Sequence, residues 1–508
     1  MYNRGAFALK NLYSTFVVMG LIFVVMLVFY INVHPIVPFD TDDWLYMAYV
    51  RSPFPSWRAW NPTRIFPEVF MPFCTEIASS LVMPFNQDFV ESVVIVNGVL
   101  VSTLITVYAY LFHRCIRKRF SLSDGISLCL TVLFLLCHFV LFRTCKNTED
   151  IEYLFFSLNM TSFYYYTIPN LLCGSVILYL LGDSMTFSQQ WERLSLLKKG
   201  MMMALLYFLL FSNLYASIVL TVYIASELLM EWLIGKYKFS DMMQFMLVHR
   251  YALFFLLLWL LALLFEANGG RSGQLNGKTT DFWSGLILTG TCFKESVKSV
   301  NGYVWGIIVA GLLLFVSKWR ERMKEACLSY SLLVVCLSMF VGLFYQILLS
   351  ARVSGYYILR GDVIFVFWFY AFLLTFFCLA LVFRQNAKWV VALPWVVCLF
   401  VATLNAPGRR FKDVQYCYGM SVNELKRIDH GLIRQVKKAE MSKADSVSLV
   451  VPKFDSEDNW PIAFGHGGKS IANCLRKHRL IDEVIEIELT TESKLMETDC
   501  SSAETGKR

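Results

Sequence analysis

This chain has few charged residues, and it lacks the cysteine and histidine spacings that are typical of metal and redox sites. Lys, Arg, Asp and Glu make up 17% of its 508 residues, against about 25% in soluble globular domains. Its 14 cysteines form no CxxC pair, and its histidines lack metal-ligand spacing, which argues against a zinc centre. The net charge of +8 comes from short clusters between apolar runs and does not indicate a nucleic-acid partner.

Apolar runs dominate instead, and 57% of the residues are hydrophobic. About 20 apolar residues cross a bilayer core. The first run is too long for a cleaved signal and has no small-residue cleavage site, so it predicts a retained anchor. The sequence thus predicts an α-helical polytopic membrane protein with about 11 transmembrane helices. The runs are 13–33, 89–112, 124–142, 167–187, 199–213, 216–235, 250–266, 301–317, 327–349, 362–383 and 389–405. The stretch SNLYAS, between the fifth and sixth runs, fits either a kink in one helix or a tight hairpin.

Basic residues set the predicted orientation, because Lys and Arg concentrate in cytoplasmic loops. With eleven spans, all six basic clusters fall on one side of the membrane, together with the N-terminus. The long loops 34–88, 143–166 and 267–300 then lie outside, as does everything after residue 405. The clusters are Arg4/Lys10, Arg114/Arg117/Lys118/Arg119, Arg193/Lys198/Lys199, Lys236/Lys238, Lys318/Arg320/Arg322/Lys324 and Arg384/Lys388.

The chain changes composition after the predicted transmembrane domain, 1–405, and has no further apolar run. Ser421 and Glu424 form a capping-box pattern that opens a helix of about twenty residues. SVSLVV (446–451) and EVIEIEL (483–489) are typical of strands, with a helix from Lys469 to His478 between them. We predict a small extracytoplasmic α/β domain over 406–490 and a disordered tail over 491–508. GHGGKS (465–470) lacks the first glycine of a P-loop and predicts a turn that opens a helix.

Three carboxylates follow the first span, in HPIVPFDTDDWLYMAYV (34–50): Asp40, Asp42 and Asp43. They fit a helix N-terminus, where acids complement the helix dipole and Trp44 serves as an interface aromatic. They also fit a general base, or a site that shares a divalent ion with a phosphate. Three like charges favour the second interpretation, because ionising all of them is costly without a compensating cation. Mg²⁺ or Mn²⁺ is therefore a candidate cofactor, although the sequence supplies no defined set of metal ligands.

The rest of this loop, SPFPSWRAWNPTRIFPEVFMPF (52–73), holds five prolines and favours short amphipathic helices along the membrane surface. Arg64 and Glu68 in this loop, together with Trp44, are candidates for substrate binding. Other outer cations suit a lipid phosphate: Arg271, Lys278, Arg352 and Arg360. Tyr164 to Tyr166 predict an interface belt. Cys417 and Cys474 are able to pair in an oxidising compartment.

An acidic pair with a tryptophan (Asp42, Asp43, Trp44) soon after the first span, with Arg64 downstream, resembles the GT-C superfamily of membrane glycosyltransferases. Length and plan are most similar to the bacterial serotype-converting O-antigen glucosyltransferases, the Gtr family. The resemblance implies polyprenyl-phosphate sugar donors and a first-loop aspartate as catalytic base, with Asp42 and Asp43 the first candidates and Asp40 the third.

The expected activity is therefore inverting transfer of a sugar, glucose by this resemblance, from undecaprenyl phosphate to a lipid-linked glycan such as O-antigen. It would take place on the periplasmic side of a bacterial inner membrane. The expected partners are the donor lipid, a glycan acceptor and membrane lipids, and no nucleic acid. Two alternatives remain: a polyprenyl-lipid or glycan flippase, and an O-antigen polymerase or ligase. Against transport, few charges fall inside the predicted spans, where transporters place ionisable groups.

Overall fold

The computed structural model describes residues 2–54, 61–142, 153–157, 159–183, 185–268, 281–316, 326–385, 392–404 and 420–491. Within these ranges eight helices are long and apolar enough to cross a membrane. The chain is therefore a helical polytopic membrane protein. In chain order the helices are α1 (Tyr2–Val28), α2 (Thr41–Ala48), α3 (Ile65–Ile77), α4 (Met83–Asn86), α5 (Phe89–Phe120), α6 (Asp124–Phe139), α7 (Met160–Ser162), α8 (Ile168–Leu181), α9 (Phe187–Arg193), α10 (Leu196–Leu210), α11 (Leu214–Ile234), α12 (Met242–Val248), α13 (Arg250–Ala267), α14 (Phe282–Lys298), α15 (Gly302–Val316), α16 (Ala326–Val353), α17 (Phe365–Gln385), α18 (Ala392–Leu404), α19 (Val422–Met441) and α20 (Gly467–Lys477).

Seven of the eight candidates coincide with predicted runs: Tyr13–Val33, Phe89–Phe120, Met160–Leu181, Leu214–Ile234, Arg250–Ala267, Tyr330–Val353 and Phe365–Arg384. The other four runs correspond to the shorter helices α6, α10, α15 and α18. At about 1.5 Å per residue, 15 residues extend about 22 Å, less than the ~30 Å hydrocarbon core. The predicted total of eleven spans therefore stays a prediction.

The eighth candidate, Ile65–Asn86, lies inside the predicted outer loop 34–88. It joins α3 and α4 through one π-helical turn. C-terminal elements contact the chain before this helix, the middle of the helix and the second residue after it. Ala48 accepts a hydrogen bond from Lys477 (2.7 Å), Ser79 Oγ lies 3.1 Å from His478 Nδ1, and Asp88 pairs with His430 (2.9 Å). These contacts place the C-terminal elements beside the middle of the helix, at Ser79, and beside the segments that precede and follow it.

The joint between α10 and α11 is a tight hairpin. Asn213 caps α11 by accepting a hydrogen bond from the backbone N–H of Tyr215 at 2.9 Å. The start of α10 and the end of α11 both lie beside α9, since Lys199 pairs with Glu192 (3.8 Å) and Glu227 accepts from the Phe187 N–H (2.8 Å). The two helices therefore run in opposite directions.

Burial separates central helices from peripheral ones. In Met160–Leu181 and Phe365–Arg384, 83% of the apolar window is buried, whereas in Tyr13–Val33 only 11% is. The central pair packs closely at Gly174, where an added Cβ would lie 2.9 Å from Tyr108 and 3.2 Å from Phe369. The side chains that α1 leaves exposed suit contact with lipid, because bilayer tails are as apolar as the helix surface.

The C-terminal elements match their sequence patterns. Helix α19 begins with the Ser421–Glu424 capping box and is 20 residues long. Strands β1 (Ser446–Val451) and β2 (Glu486–Thr491) pair in parallel, and α20 connects them. The predicted helix is confirmed within two residues of each end, while β2 begins three residues later than predicted. The division of the chain at residue 406 stays a prediction, and the predicted tail beyond Thr491 lies outside the described residues.

These C-terminal elements dock on α2. The Thr41 N–H donates to the carbonyl of Pro461 (3.0 Å), and the Ala463 N–H donates to Thr41 Oγ1 (2.9 Å). GHGGKS opens α20 as predicted. Gly468 passes so close to β2 that a Cβ there would overlap the carbonyl oxygen of Ile487. The segment that carries the three acids is therefore covered by residues more than four hundred positions away in the sequence.

Candidate functional site

The three acids form the N-terminus of α2. Asp40 is the N-cap and accepts a hydrogen bond from the Asp42 N–H at 2.8 Å. Asp43 completes the capping box by accepting from the Asp40 N–H at 3.2 Å, and it also accepts from the Phe39 N–H at 3.1 Å. Such caps stabilise a helix by about 1 kcal/mol each. The helix-terminus interpretation thus accounts for Asp40 and Asp43, while Asp42 remains half-buried at the surface.

Two residues at the start of α7 hold the acids from the other side. Asp43 Oδ1 accepts from both the N–H and the hydroxyl of Thr161, each at 2.6 Å, and Asp40 Oδ2 accepts from Asn159 at 3.0 Å. Burial raises the pKa of Asp43, although the Thr161 hydrogen bonds oppose it. Burial, then the Asp43 charge, raises the pKa of Asp40. These carboxylates are therefore engaged within the protein.

The same contacts test the fit of a divalent cation. The oxygens of Asp40 and Asp43 already accept hydrogen bonds from protein donors. Across the described ranges, no group of three or more His, Cys, Asp and Glu side chains is arranged to hold a metal ion. The described side chains do not fit Mg²⁺ or Mn²⁺, and no chemical step is assigned to a metal.

Asp429 of α19 is a third buried carboxylate beside this pair, and the sequence analysis missed it. It is 1% exposed, and neither of its oxygens has a hydrogen-bond partner among the described residues. Burial, then the charge of Asp43, raises its pKa well above the ordinary value. The missed signal is its spacing: Leu425, Asp429, Leu432 and Val436 share one face of an amphipathic helix and are all buried. An acid in that stripe must enter the core.

A cleft of about 370 Å³ lies at the end of the bundle nearest α3. We call it the outer cleft. Arg64 and Arg352 both line it, and Glu266 is the one carboxylate among its described lining residues. Aromatic and aliphatic side chains form most of the remaining wall, which also includes the polar residues Thr63, Ser212 and Asn213: Tyr166, Tyr215, Tyr357, Phe211, Leu210, Leu214, Ala262, Leu263, Ala267, Leu349 and Val353.

Arg64 is held in place by its backbone and by an acid. It precedes α3 with a φ of 63°, a left-handed conformation uncommon for residues other than glycine and enriched at functional sites. Its guanidinium pairs with Glu266 at the end of α13. The Phe66 N–H donates to the carbonyl of Phe211 in the α10–α11 turn at 3.3 Å. Arg64 is thereby fixed where three helix ends meet.

None of three other predicted binding residues lines the cleft. Arg360 forms a bidentate pair with Asp362 (3.0 and 2.7 Å), and its guanidinium carbon lies 4.8 Å from the centre of the ring of Tyr166, a lining residue. Glu68, 2% exposed, accepts from the Tyr165 hydroxyl (2.8 Å) and pairs with Arg51 (2.8 Å). Trp44 is 1% exposed within the core.

The remaining candidates are placed as follows. Arg271, Lys278 and Cys417 lie outside the described residues, the first two shortly after Ala267, which lines the outer cleft. Cys474 is buried. The prediction of an interface belt is wrong for Tyr164 and Tyr165, because their side chains are buried, with 0% and 4% exposed. The helix begins at Met160, before the predicted start of its span, and turns these rings inward.

Comparison with known proteins gave no relative: no family model, no curated protein and no solved structure matches the chain. The function must therefore be argued from the cleft, the acids and their surroundings.

Proposed function

We propose that this protein is a membrane glycosyltransferase that moves a sugar, glucose by its family resemblance, from undecaprenyl phosphate to a lipid-linked glycan such as O-antigen. One observation carries the proposal. Arg64 and Arg352, from distant parts of the chain, line one cleft whose other walls are mainly aromatic and aliphatic, with Thr63, Ser212 and Asn213 as polar residues and Glu266 as the acid. Guanidinium groups bind phosphate through directed hydrogen bonds, and apolar walls suit a prenyl chain.

The charges of the outer cleft support an anionic ligand. Two arginines face one carboxylate among the described lining residues, so the lining carries a net positive charge. Arg360 packs its guanidinium on Tyr166, which lines the cleft, but its charge is compensated by the bidentate pair with Asp362. Arg271 and Lys278, the other predicted phosphate ligands of this region, lie outside the described residues.

For the catalytic base, accessibility favours Asp42 over its neighbours. Asp40 and Asp43 are 1% and 0% exposed and engaged by protein donors, whereas Asp42 is half-buried. One turn after Asp42 in α2, Tyr46 has its ring 5.5 Å from that of Tyr165, whose neighbour in sequence, Tyr166, lines the cleft. Glu266 is the rival base, since it lines the cleft, but its pairing with Arg64 favours an orienting role.

The reaction follows from these groups. The base takes the proton of an acceptor hydroxyl, and the oxygen attacks the anomeric carbon of the donor sugar. The bond from that carbon to the phosphate oxygen breaks, and undecaprenyl phosphate leaves with the electron pair. Arg64 and Arg352 stabilise the charge that develops on the leaving phosphate. A single displacement inverts the anomeric configuration.

The same proposal includes a membrane topology. We propose eleven spans, with the N-terminus cytoplasmic, the C-terminus periplasmic and α3–α4 lying along the outer face of a bacterial inner membrane. The six basic clusters on one side support it, as do the C-terminal contacts along Ile65–Asn86. Phe73 and Phe85 are 58% and 90% exposed, which suits an in-plane helix that dips apolar side chains into the interface.

The test is lipopolysaccharide structure in cells that make O-antigen and the glucosylated donor lipid. Cells expressing the chain should carry a new side-branch sugar. Arg352→Gln and Asp42→Asn should remove it, while Arg384→Gln, a basic-cluster change remote from the cleft, should not. Western blots of membrane fractions establish that each variant is present in equal amount. An unchanged glycan in cells with the native chain and labelled donor would refute transfer to O-antigen.

A lipid flippase is the second candidate, and one observation favours it. A polar cavity of about 300 Å³, lined by Arg119, Glu227 and Tyr330, lies at the other end of the helices that line the outer cleft. Helices α11 and α16 thus line a cavity at each end. Proteoliposomes separate the two functions: a flippase moves fluorescent polyprenyl phosphate across the bilayer without acceptor, whereas a transferase consumes the donor only when acceptor is present.

A further inference from the structure

A third cavity, smaller than the outer cleft and the polar cavity lined by Arg119, lies where α8, α9 and α10 meet. It has a volume of about 200 Å³ and includes Tyr179, Trp191, Arg193, Leu194 and Met202 in its lining. We call it the α9 cavity. Clefts that enclose a whole small molecule measure roughly 300–1,000 Å³. The α9 cavity is therefore sized for a head group rather than for an entire ligand.

One buried donor in this cavity lacks a partner. Trp191 is 3% exposed, and its indole Nε1 makes no hydrogen bond to any of the described residues. Its ring is fixed by Tyr251 and Phe255, with centroids 5.2 and 5.5 Å away. An unpaired buried N–H costs about 1–3 kcal/mol, so folded proteins rarely retain one. A ligand oxygen in the cavity would satisfy it.

The described lining of the α9 cavity holds one cation, Arg193, and one carboxylate, Asp183, which is paired with Lys118 and, at 3.9 Å, with Arg114. Arg193 is exposed and forms no ion pair in the described part of the chain. The carboxylate beside it in sequence, Glu192, is already paired with Arg250 (2.9 Å) and Lys199 (3.8 Å). At the rim, the guanidinium carbon of Arg114 lies 5.2 Å from the centre of the Tyr179 ring. An anionic group with hydrogen-bond acceptors complements this arrangement.

The neighbouring surface indicates that the ligand is a lipid. Leu196, Leu197 and Met201 in the first turns of α10 are 87%, 76% and 65% exposed. Met202 and Leu194, on either side of them, line the cavity. A molecule seated there therefore contacts apolar side chains next to a helix surface that suits acyl chains. A soluble anion would leave those contacts unused.

We propose that the α9 cavity binds the phosphate head group of a membrane lipid, with the Trp191 indole N–H donating to a lipid oxygen and Arg193 pairing with the phosphate. The site lies at the opposite end of α8 from Tyr166 and is distinct from the outer cleft. By the proposed topology it opens to the cytoplasmic leaflet. The proposal does not depend on sugar transfer, and it holds equally for a transferase or a flippase.

The test uses the full chain purified in detergent and titrated with phosphatidylglycerol in native mass spectrometry. Trp191→Phe removes the N–H and keeps an aromatic ring, and it should weaken lipid binding about threefold to tenfold, as expected for one hydrogen bond. Arg193→Gln should weaken binding at least as much, and because Arg193 is exposed this variant should fold. Trp232→Phe is the matched control: Trp232 stacks on Tyr237 and does not line the cavity.

Two further titrations identify the source of the phosphate. Trp191→Phe and Trp232→Phe are compared for their affinity for each lipid. If Trp191→Phe binds undecaprenyl phosphate more weakly than Trp232→Phe does, while both bind phosphatidylglycerol equally, the site holds the carrier lipid and the proposal stands. If inorganic phosphate competes fully with lipid at millimolar concentration, the ligand is a soluble anion and the proposal fails. It also fails if Trp191→Phe and Arg193→Gln bind both lipids as tightly as the native chain does.

Discussion

Thr161 donates two hydrogen bonds to a single oxygen of Asp43, one from its backbone N–H and one from its hydroxyl, each 2.6 Å long. This contact ties the segment after the first span to the start of a central helix. The two neighbouring acids therefore differ: Asp43 is fully buried and accepts these hydrogen bonds, whereas Asp42 is half-buried.

Asp43→Asn should therefore destabilise the protein, and Asp42→Asn should not. The asparagine amide presents one acceptor where the carboxylate had two, so buried donors lose partners at about 1–3 kcal/mol each. Thermal unfolding in detergent should show a lower midpoint for Asp43→Asn and a native midpoint for Asp42→Asn. Equal midpoints for the two variants would show that the Thr161 contact adds nothing to stability.

Arg64→Gln should weaken donor binding and also reduce stability, because it leaves Glu266 unpaired in a partly buried position. The double change Arg64→Gln/Glu266→Gln should recover the stability without recovering donor binding. A charge-assisted hydrogen bond contributes about 1.5–3 kcal/mol, so donor affinity should fall roughly tenfold to a hundredfold. Binding of radiolabelled undecaprenyl phosphate measures this. If the double variant recovered both stability and donor binding, Arg64 would not be part of the phosphate site.

The buried Asp429 should make stability depend on pH. Burial, then the Asp43 charge, raises its pKa in the folded state, whereas in the unfolded chain an aspartate titrates near pH 4. Above about pH 4 the folded state thus binds more protons than the unfolded state, and stability falls as the pH rises.

Asp429→Asn should flatten this dependence between about pH 5 and 8, while Asp455→Asn, at an exposed position of the same C-terminal region, should leave it unchanged. Thermal midpoints measured at each pH give the slope. A native slope in Asp429→Asn would assign the effect to Asp40 and Asp43 alone.

Two glycines of GHGGKS should respond differently to alanine. At Gly468 a Cβ would overlap the carbonyl oxygen of Ile487 and come within 2.9 Å of its carbon, whereas at Gly465 nothing lies within 4 Å. Gly468→Ala should separate α20 from β2 and cost about 1–3 kcal/mol, and Gly465→Ala should be neutral. Limited proteolysis should cleave the C-terminal region of Gly468→Ala faster than that of the native chain, and that of Gly465→Ala at the native rate. Equal rates for the two variants would show that β2 does not pack against Gly468.

Helix Ile65–Asn86 should have both ends on one side of the membrane. Single cysteines at Ser52 and Gln87, both exposed, should react with an impermeant maleimide added from the same side, above the background of the native chain. Ser195→Cys at the basic end should react only from the opposite side. Labelling of the Ser52 and Gln87 variants from opposite sides would make this helix a span and change the topology.

The amino-acid sequence by itself determined the class of protein, seven of its long helices, and the α–β–α–β order of the C-terminal region. These follow from local signals: the length of an apolar run, the alternation of a strand, and the Ser421–Glu424 cap. A helix N-terminus was one of the two interpretations that the sequence left open for the acids, since it needs only neighbouring residues, although the sequence favoured the other.

Only the tertiary structure decided which side chains meet. Arg64 and Arg352 share a cleft because the ends of α10, α11, α13 and α16 converge beside the start of α3. Asp43 and Asp429 lie close enough for their charges to interact because the C-terminal elements dock on α2. Such contacts depend on how helices pack across the whole bundle, which periodicity does not encode. The sequence named Arg64, Arg352, Asp40 and Asp43 but not Asp429, and packing alone separated the cleft that holds the arginines from the buried cluster that holds the aspartates.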